Sequence, residues 1–385
     1  MLNSLLMAIP IIITYTQEPS YLLHHLKILK IFNMLQYIIR LHTCNKLIKR
    51  SMVIPTQLVV PLSIRLEDLV RGRIPIFNII VAIAVISVIT GVINPKFWEL
   101  SNWQVLLTWF LGLSVLAMGE SMVLISGGID LSVGSVASAV SMILALIITN
   151  TAWIPTTERI VIGIILSIVV GAGIGLLHGA FVSIFSPPLP QIMPAFIITL
   201  ASLIFWGGFA SAITLGWPIT LYQYQALAII SQPWALALIL IVVGSITMFI
   251  QGYTIAGRYL YAIGGNIDVA RLSGVPINKA RLFAYSYSGI CSAIAGIIFT
   301  SLMMTGYPAV GKGQELYAIA SNAIGGVSLA GGEGIAIGSV VGAFLITLIR
   351  NALVLTGVSP YWYDPITGII LAVAVAIDLY RRRGR

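Results

Sequence analysis

Two carboxylates, Glu120 and Asp130, are set among apolar side chains, where an ionised acid without a partner is costly. Glu120 stands between Gly119 and Ser121 and reads either as a protonated or hydrogen-bonded interior acid or as a polar contact on a substrate pathway. Asp130 belongs to the segment Ile125-Ser-Gly-Gly-Ile-Asp-Leu-Ser-Val-Gly134. Its carboxylate suits the N-cap of the helix that follows, accepting backbone N–H groups. On that reading Gly127, Gly128, Asp130, Ser132 and Gly134 are structural first, and matter through how they hold the flanking elements. His178 reads as a satisfied interior polar group, because no second His, Cys or acid stands at ligand spacing on its helix. Cys291 lies in an apolar run as a small buried hydrophobe, and neither it nor Cys44 points to a disulfide or a metal. With no His or Cys cluster and no nucleophile beside a base, the sequence offers no catalytic residues and no metal site.

The glycine-rich stretch Gly325-Gly-Val-Ser-Leu-Ala-Gly-Gly-Glu-Gly334 invites comparison with a phosphate-binding loop. Such a loop needs a Lys followed by Ser or Thr after its glycines and a strand before it, an arrangement this chain lacks. Nucleotide energy, if used, comes from another chain. The most informative polar segment runs from Gly257 to Pro276. A short helix is expected between Gly265 and Gly274: Asn266 caps it, Asp268 suits its first turn, Arg271 its last, and Gly274 with Pro276 stops it. It reads as a docking element for a partner, with an ordinary surface loop as the plainer alternative.

These residues must be positioned by membrane-spanning helices. Of the 385 residues, 58% are hydrophobic and only 9% charged, and the mean hydropathy is +1.01. A water-soluble surface cannot be built from so few charges. The length accommodates roughly ten spans of about 20 residues in one bundle. The net charge of +9 does not indicate nucleic acid, because the cations lie in short segments between apolar runs.

Apolar runs fall at 74–93, 104–125, 133–149, 160–185, 194–216 and 234–250, then at 282–304, 335–357 and 364–380. The loop 251–281 holds Arg258, Arg271, Lys279 and Arg281 against Asp268, so the positive-inside rule places it in the cytoplasm. Arg65, Arg71 and Arg73 put the start of the bundle on the same side, as does the tail with Arg381, Arg382, Arg383 and Arg385. Three spans cannot join two cytoplasmic ends. Parity therefore demands a further crossing at Glu315–Leu329, short and interrupted by Gly325 and Gly326, which makes ten. Trp98, Trp103, Trp153, Trp217, Tyr361 and Trp362 mark span ends. Gly171, Gly175 and Gly179 in one span, and Gly334, Gly338 and Gly342 in another, make smooth faces for close helix contact. Residues 1–61 form a basic extension, either a segment on the inner membrane surface or the result of a start upstream of the true one near Met52; the second is preferred. Residues 62–385 are the bundle.

The Gly127–Gly134 segment, the Gly264-Gly-Asn loop helix and the Gly325–Gly334 stretch occur together and in order. In this the chain, from about Arg71 to Asp378, resembles the ribose-type sugar permeases of ATP-binding cassette (ABC) importers, within the branched-chain amino acid and sugar permease superfamily. The resemblance implies an all-α, polytopic bundle like that of type II ABC importers in the cytoplasmic membrane. It also implies a second permease copy or paralogue, cytoplasmic ATPase subunits that bind ATP and Mg, and an extracytoplasmic sugar-binding protein. Gly264, Gly265, Asn266, Asp268, Arg271 and Gly274 would then form the helix that couples the bundle to the ATPases, and a ribose-like monosaccharide would pass by alternating access.

Glu120, His178, Glu315, Asn322 and Arg350 are the candidate pathway residues. The sequence departs from the family's pattern at Trp206-Gly207, where an Arg-Gly pair is expected, at His178, where an Asn is usual, and at Arg350, within a span usually marked by amides. Arg350 either snorkels to a helix end or donates hydrogen bonds to sugar hydroxyls. A permease of the same fold for branched-chain amino acids or nucleosides is the nearest alternative. A secondary transporter acting alone would need its own coupling site in two repeat halves, and no inverted repeat is evident.

Overall fold

The computed structural model describes residues 75–185, 192–369 and 372. The extension 1–61, Arg65, Arg71 and Arg73, most of the last apolar run and the basic tail lie outside the described residues. The bundle is helical: α1 Pro75–Ile93, α2 Leu100–Ile125, α3 Val133–Asn150, α4 Thr156–Phe185, α5 Ile192–Ala212, α6 Pro233–Tyr253, α7 Ile255–Gly265, α8 Ile267–Leu272, α9 Ile277–Met303, α10 Gln314–Ile324 and α11 Ala336–Leu355. Residues 363–369 open one more helix. Two short strands, β1 Ile219–Thr220 and β2 Thr305–Gly306, pair antiparallel.

Seven of these helices, α2 to α6 with α9 and α11, are long and apolar enough to cross a membrane. The 19 residues of α1 reach about 28 Å at 1.5 Å per residue, close to the apolar thickness of a bilayer. The centre of the bundle is α2, buried almost without a break from Phe110 to Ile125. Against it α9 runs antiparallel, with Gly119 beside Cys291 and Gly112 beside Phe299. The predicted glycine face of α4 lies on α9: Gly171 meets the Gly289 carbonyl, Gly175 that of Tyr285, and Gly179 the backbone of Leu282. A methyl group at any of these would strike backbone, so the small residues set the approach. Outward, α5 and α6 expose Phe196, Ile204, Phe205, Leu238, Ile241 and Phe249, as expected of lipid-facing helices.

Three expectations are corrected. The segment 251–281 is not a loop: α6 continues to Tyr253, α7 adds eleven helical residues, and Arg281 lies in α9, buried at 2% exposure. Periodicity was masked there by the shortness of each helix. Gly334 precedes α11 with φ +127 rather than sharing its face, leaving Gly338 and Gly342 to pack against the carbonyls of Gly325 and Ser321. The cap residue of α3 is Ser132, not Asp130.

The stretch predicted as a tenth crossing is composite. The chain leading into Glu315–Leu329 starts where β2 pairs with β1, at the end of the bundle that also holds the α3–α4 connection. From there residues 307–313 turn back into the interior, where the Gly311 N–H donates to Ser138 Oγ of α3 at 2.9 Å. Helix α10, only about 16 Å long, then carries the chain on, and Gly332 N donates to the carbonyl of Ile125 at the opposite end of α2. The backbone thus runs from the β1–β2 pair to the break at the end of α2, with α10 packed against α2, α3 and α11. Of the six aromatic markers, Trp98, Trp153, Trp217, Tyr361 and Trp362 lie in connections between helices, and Trp103 lies near the start of α2.

Candidate functional site

Between α2 and α3 the chain breaks at mid-depth, alongside Ser288 near the middle of the 27-residue α9. The break is held by side chains. Asp130 Oδ1 accepts from Ser132 N at 2.9 Å and Ser132 Oγ at 2.6 Å, and Oδ2 accepts from Ser288 Oγ at 3.1 Å. The Asp130 N–H donates to Glu120 Oε1 at 3.1 Å. The Ile129 carbonyl accepts from Tyr285 Oη at 3.2 Å and Thr199 Oγ1 at 3.4 Å.

Because Ser132 gives its only hydroxyl proton to Asp130, it can take part with His178 Nδ1, 3.3 Å away, only as acceptor. For a neutral ring this arrangement calls for the proton on Nδ1, which leaves Nε2 to accept from Ser202 Oγ of α5. This ordered chain ties α2, α4, α5 and α9 to the Gly127–Gly134 segment. It brings Glu120, Asp130, Ser132 and His178 together.

Asn322 is fully buried and fully used: it donates to the carbonyls of Ala117 and Ala318 at 2.8 Å each and accepts from Ser339 Oγ at 2.6 Å. It joins α10 to α2 and α11. Glu315 stands apart from it, with Oε1 accepting from Gly313 N at 3.1 Å and Oε2 against Gly134. Gln251, which sequence reasoning missed, spans three helices, donating to Ser121 Oγ at 3.2 Å and accepting from Ala336 N at 2.9 Å. An amide directly after an apolar run was the available signal.

The short helix expected between Gly265 and Gly274 forms as α8. Asn266 accepts from Asp268 N and Val269 N, both at 3.0 Å, Asp268 and Arg271 approach to 3.4 Å, and Gly274 ends the helix at φ +77. Ala270 is buried beneath α8, while Val269 and Leu272 are 58% and 88% exposed beside the ion pair. Such surface-exposed pairs contribute little stability. They and the apolar pair give α8 a contact face.

At its base, the backbone of Gly264 lies between the Ile125 carbonyl and Gly332 N, and Gly331, at φ +90, touches the backbones of Gly127 and Gly264. All three glycine motifs therefore meet at one point. Tyr261 Oη donates to the Gly334 carbonyl at 2.6 Å, and burial raises the pKa of that phenol.

Arg350 lies elsewhere, toward the opposite end of the bundle. A pocket of about 550 Å³ opens there between α2, α10 and α11, lined by Asn102, Trp109, Gln314, Tyr317, Arg350 and Asn351 among others. The guanidinium lies 4.8 Å from the ring centroid of Tyr317, whose hydroxyl donates to Asp364 at 2.5 Å. Of the candidate pathway residues, Arg350 alone lines this pocket.

Residues 103–375 match the family described as the permease component of branched-chain amino acid transport systems. Among relatives, the ribose import permease protein of Escherichia coli K12 is 29% identical over 311 residues, covering 78% of this chain and 92% of its own. That of Haemophilus influenzae is 32% identical over 308 residues, with the same coverage of each. The autoinducer 2 import system permease protein of Yersinia enterocolitica is 30% identical over 305 residues, covering 78% of this chain and 81% of its own. No solved structure matches.

Proposed function

The chain belongs to the family of branched-chain amino acid transport system permease components, and on that premise we propose that it is the membrane-spanning subunit of an ABC importer that admits a monosaccharide of the ribose class. It is a transport component rather than a catalyst. Relatives named as ribose import permeases align with it over most of both chains, which supports the sugar reading. The single observation that carries the mechanism is the meeting of α8 and the two glycine-rich turns. ATPase subunits bind and hydrolyse ATP in the cytoplasm, and their contact with Val269 and Leu272 moves α8 and α7. At Gly264 backbone touches backbone, so no side chain can absorb that displacement.

The motion passes through Ile125–Gly127 to the break before α3, and through Gly331–Gly332 to the turn behind α10. Both are interrupted helices, the elements most able to tilt without breaking a continuous hydrogen-bond ladder. The end that carries Arg258, Arg271 and Lys279 is cytoplasmic, with both termini on that side. A binding protein delivers sugar to the other end, and a second permease chain completes the pathway.

The test is ribose uptake by cells carrying the whole transporter, set beside ATP hydrolysis in membranes from the same cells. The double variant Asn266→Ala/Arg271→Ala removes the cap and the ion pair. Uptake is expected to fall at least tenfold while hydrolysis persists; undiminished uptake would sink the coupling role. The family's description also names branched-chain amino acids, so leucine and a nucleoside belong in the same uptake panel. Transport of either in preference to every sugar would replace the substrate class.

A further inference from the structure

The pocket beside Arg350 has a property that packing does not explain. Gln314 is 8% exposed, yet its side chain makes no hydrogen bond among the described residues. Arg350 likewise makes no hydrogen bond or ion pair there; its guanidinium only stacks on Tyr317. Neither group is among the buried polar atoms left without a partner; both line the open pocket, where a ligand's oxygens can accept from them. Here two planar donor groups from different helices converge on one cavity, whose volume lies within the roughly 300–1,000 Å³ range of small-ligand sites.

Trp109, held at 5.4 Å from the ring of Phe299, adds an aromatic wall. Asn102 and Asn351 bond each other at 2.7 Å on a third side. Aromatic surface for C–H faces and forked donors for neighbouring hydroxyls together fit a sugar ring. Lys96 and Glu99, of opposite charge, both line the pocket, which argues against selection for a strongly charged solute.

We propose that this pocket, inside a single chain and opening toward the end away from α8, is a docking subsite for a neutral monosaccharide, with Arg350 and Gln314 as its hydroxyl-binding residues and Trp109 as its apolar wall. The proposal rests on the permease reading and adds a place where the incoming sugar is first held by this chain.

The test uses cells that carry the whole transporter, with the permease lacking Cys44 and Cys291 and bearing Val354→Cys, a pocket-lining position 54% exposed. A membrane-impermeant maleimide added outside reports access. Ribose is expected to slow labelling at Val354→Cys at least fivefold and to leave Leu215→Cys, at the same end but outside the pocket, unchanged. Arg350→Gln and Gln314→Leu, tested separately so that one misfolded variant does not decide the matter, should each abolish most of the protection while Leu215→Cys still labels. No labelling from outside, or no protection by any sugar that the same cells import, overturns the subsite and leaves the permease reading standing. Protection by ribonate but not ribose overturns the neutral class. Cells that import no sugar at all overturn the permease reading and the subsite with it.

Discussion

Asp130 does more for the molecule as an acceptor than as a charge. Three donors converge on its two oxygens, and one of them, Ser132, passes the polarity on to His178 and Ser202. Replacing it with Ala strands those donors in a site of 2% exposure, at about 1–3 kcal/mol for each that finds no other partner. Asp130→Ala should therefore lower the melting temperature of the detergent-purified chain and its level in membranes. Asp130→Asn keeps one acceptor oxygen for Ser132 and presents an NH2 to Ser288, whose hydroxyl can turn to accept. Its loss should be less than half that of the alanine variant by the same thermal measurement. Equal losses would mean that the charge, not the acceptor pattern, holds the break. His178 illustrates what was legible at this scale: its interior, satisfied state could be expected from an apolar helix with no second ligand, but its partners could not, because Ser132 and Ser202 belong to other elements.

The elements were more legible than their contacts. Long apolar runs give α2 to α6, α9 and α11 to within a few residues, since bilayer thickness fixes both their length and their composition. Caps and stops give α8. What stayed hidden is α7, too short for hydropathy to distinguish from a polar connection, and the fact that its last residues sit against two glycine turns far away in sequence. That contact separates two neighbouring glycines. A methyl group at Gly264 would overlap the Ile125 carbonyl and Gly332 N, backbone on both sides, whereas one at Gly265 meets nothing within 4 Å. Gly264→Ala should lose about 1–3 kcal/mol, the usual range for overpacking, and most ribose uptake. Gly265→Ala should change stability by no more than about 0.5 kcal/mol and leave uptake near normal. A matched pair of melting curves and uptake rates checks both, and equal behaviour of the two variants would remove the seam at Gly264 from the coupling path.

For the whole molecule, charge parity makes a demand that hydropathy alone does not: the chain between α9 and α11 has to change sides. The pocket, by contrast, was invisible in sequence, because Trp109, Gln314 and Arg350 meet only when α2, α10 and α11 are assembled. Between α9 and α11 lie a stretch that turns back into the interior, an eleven-residue helix and a glycine-rich turn, none of which would count as a span by itself. Tyr307, next to β2, and Ala330, in the turn beside Gly331, both have exposed positions. In a chain lacking Cys44 and Cys291, Tyr307→Cys should react with an impermeant maleimide applied to intact cells. Ala330→Cys should react only after the membrane is permeabilised, as should Ser273→Cys beyond α8. If Tyr307→Cys and Ala330→Cys label from the same side, the crossing is lost and with it the common side of the two termini. Opposite sides would place the short α10 across the membrane between its two glycine-rich ends, with the turn behind it against Gly264 at the base of α8.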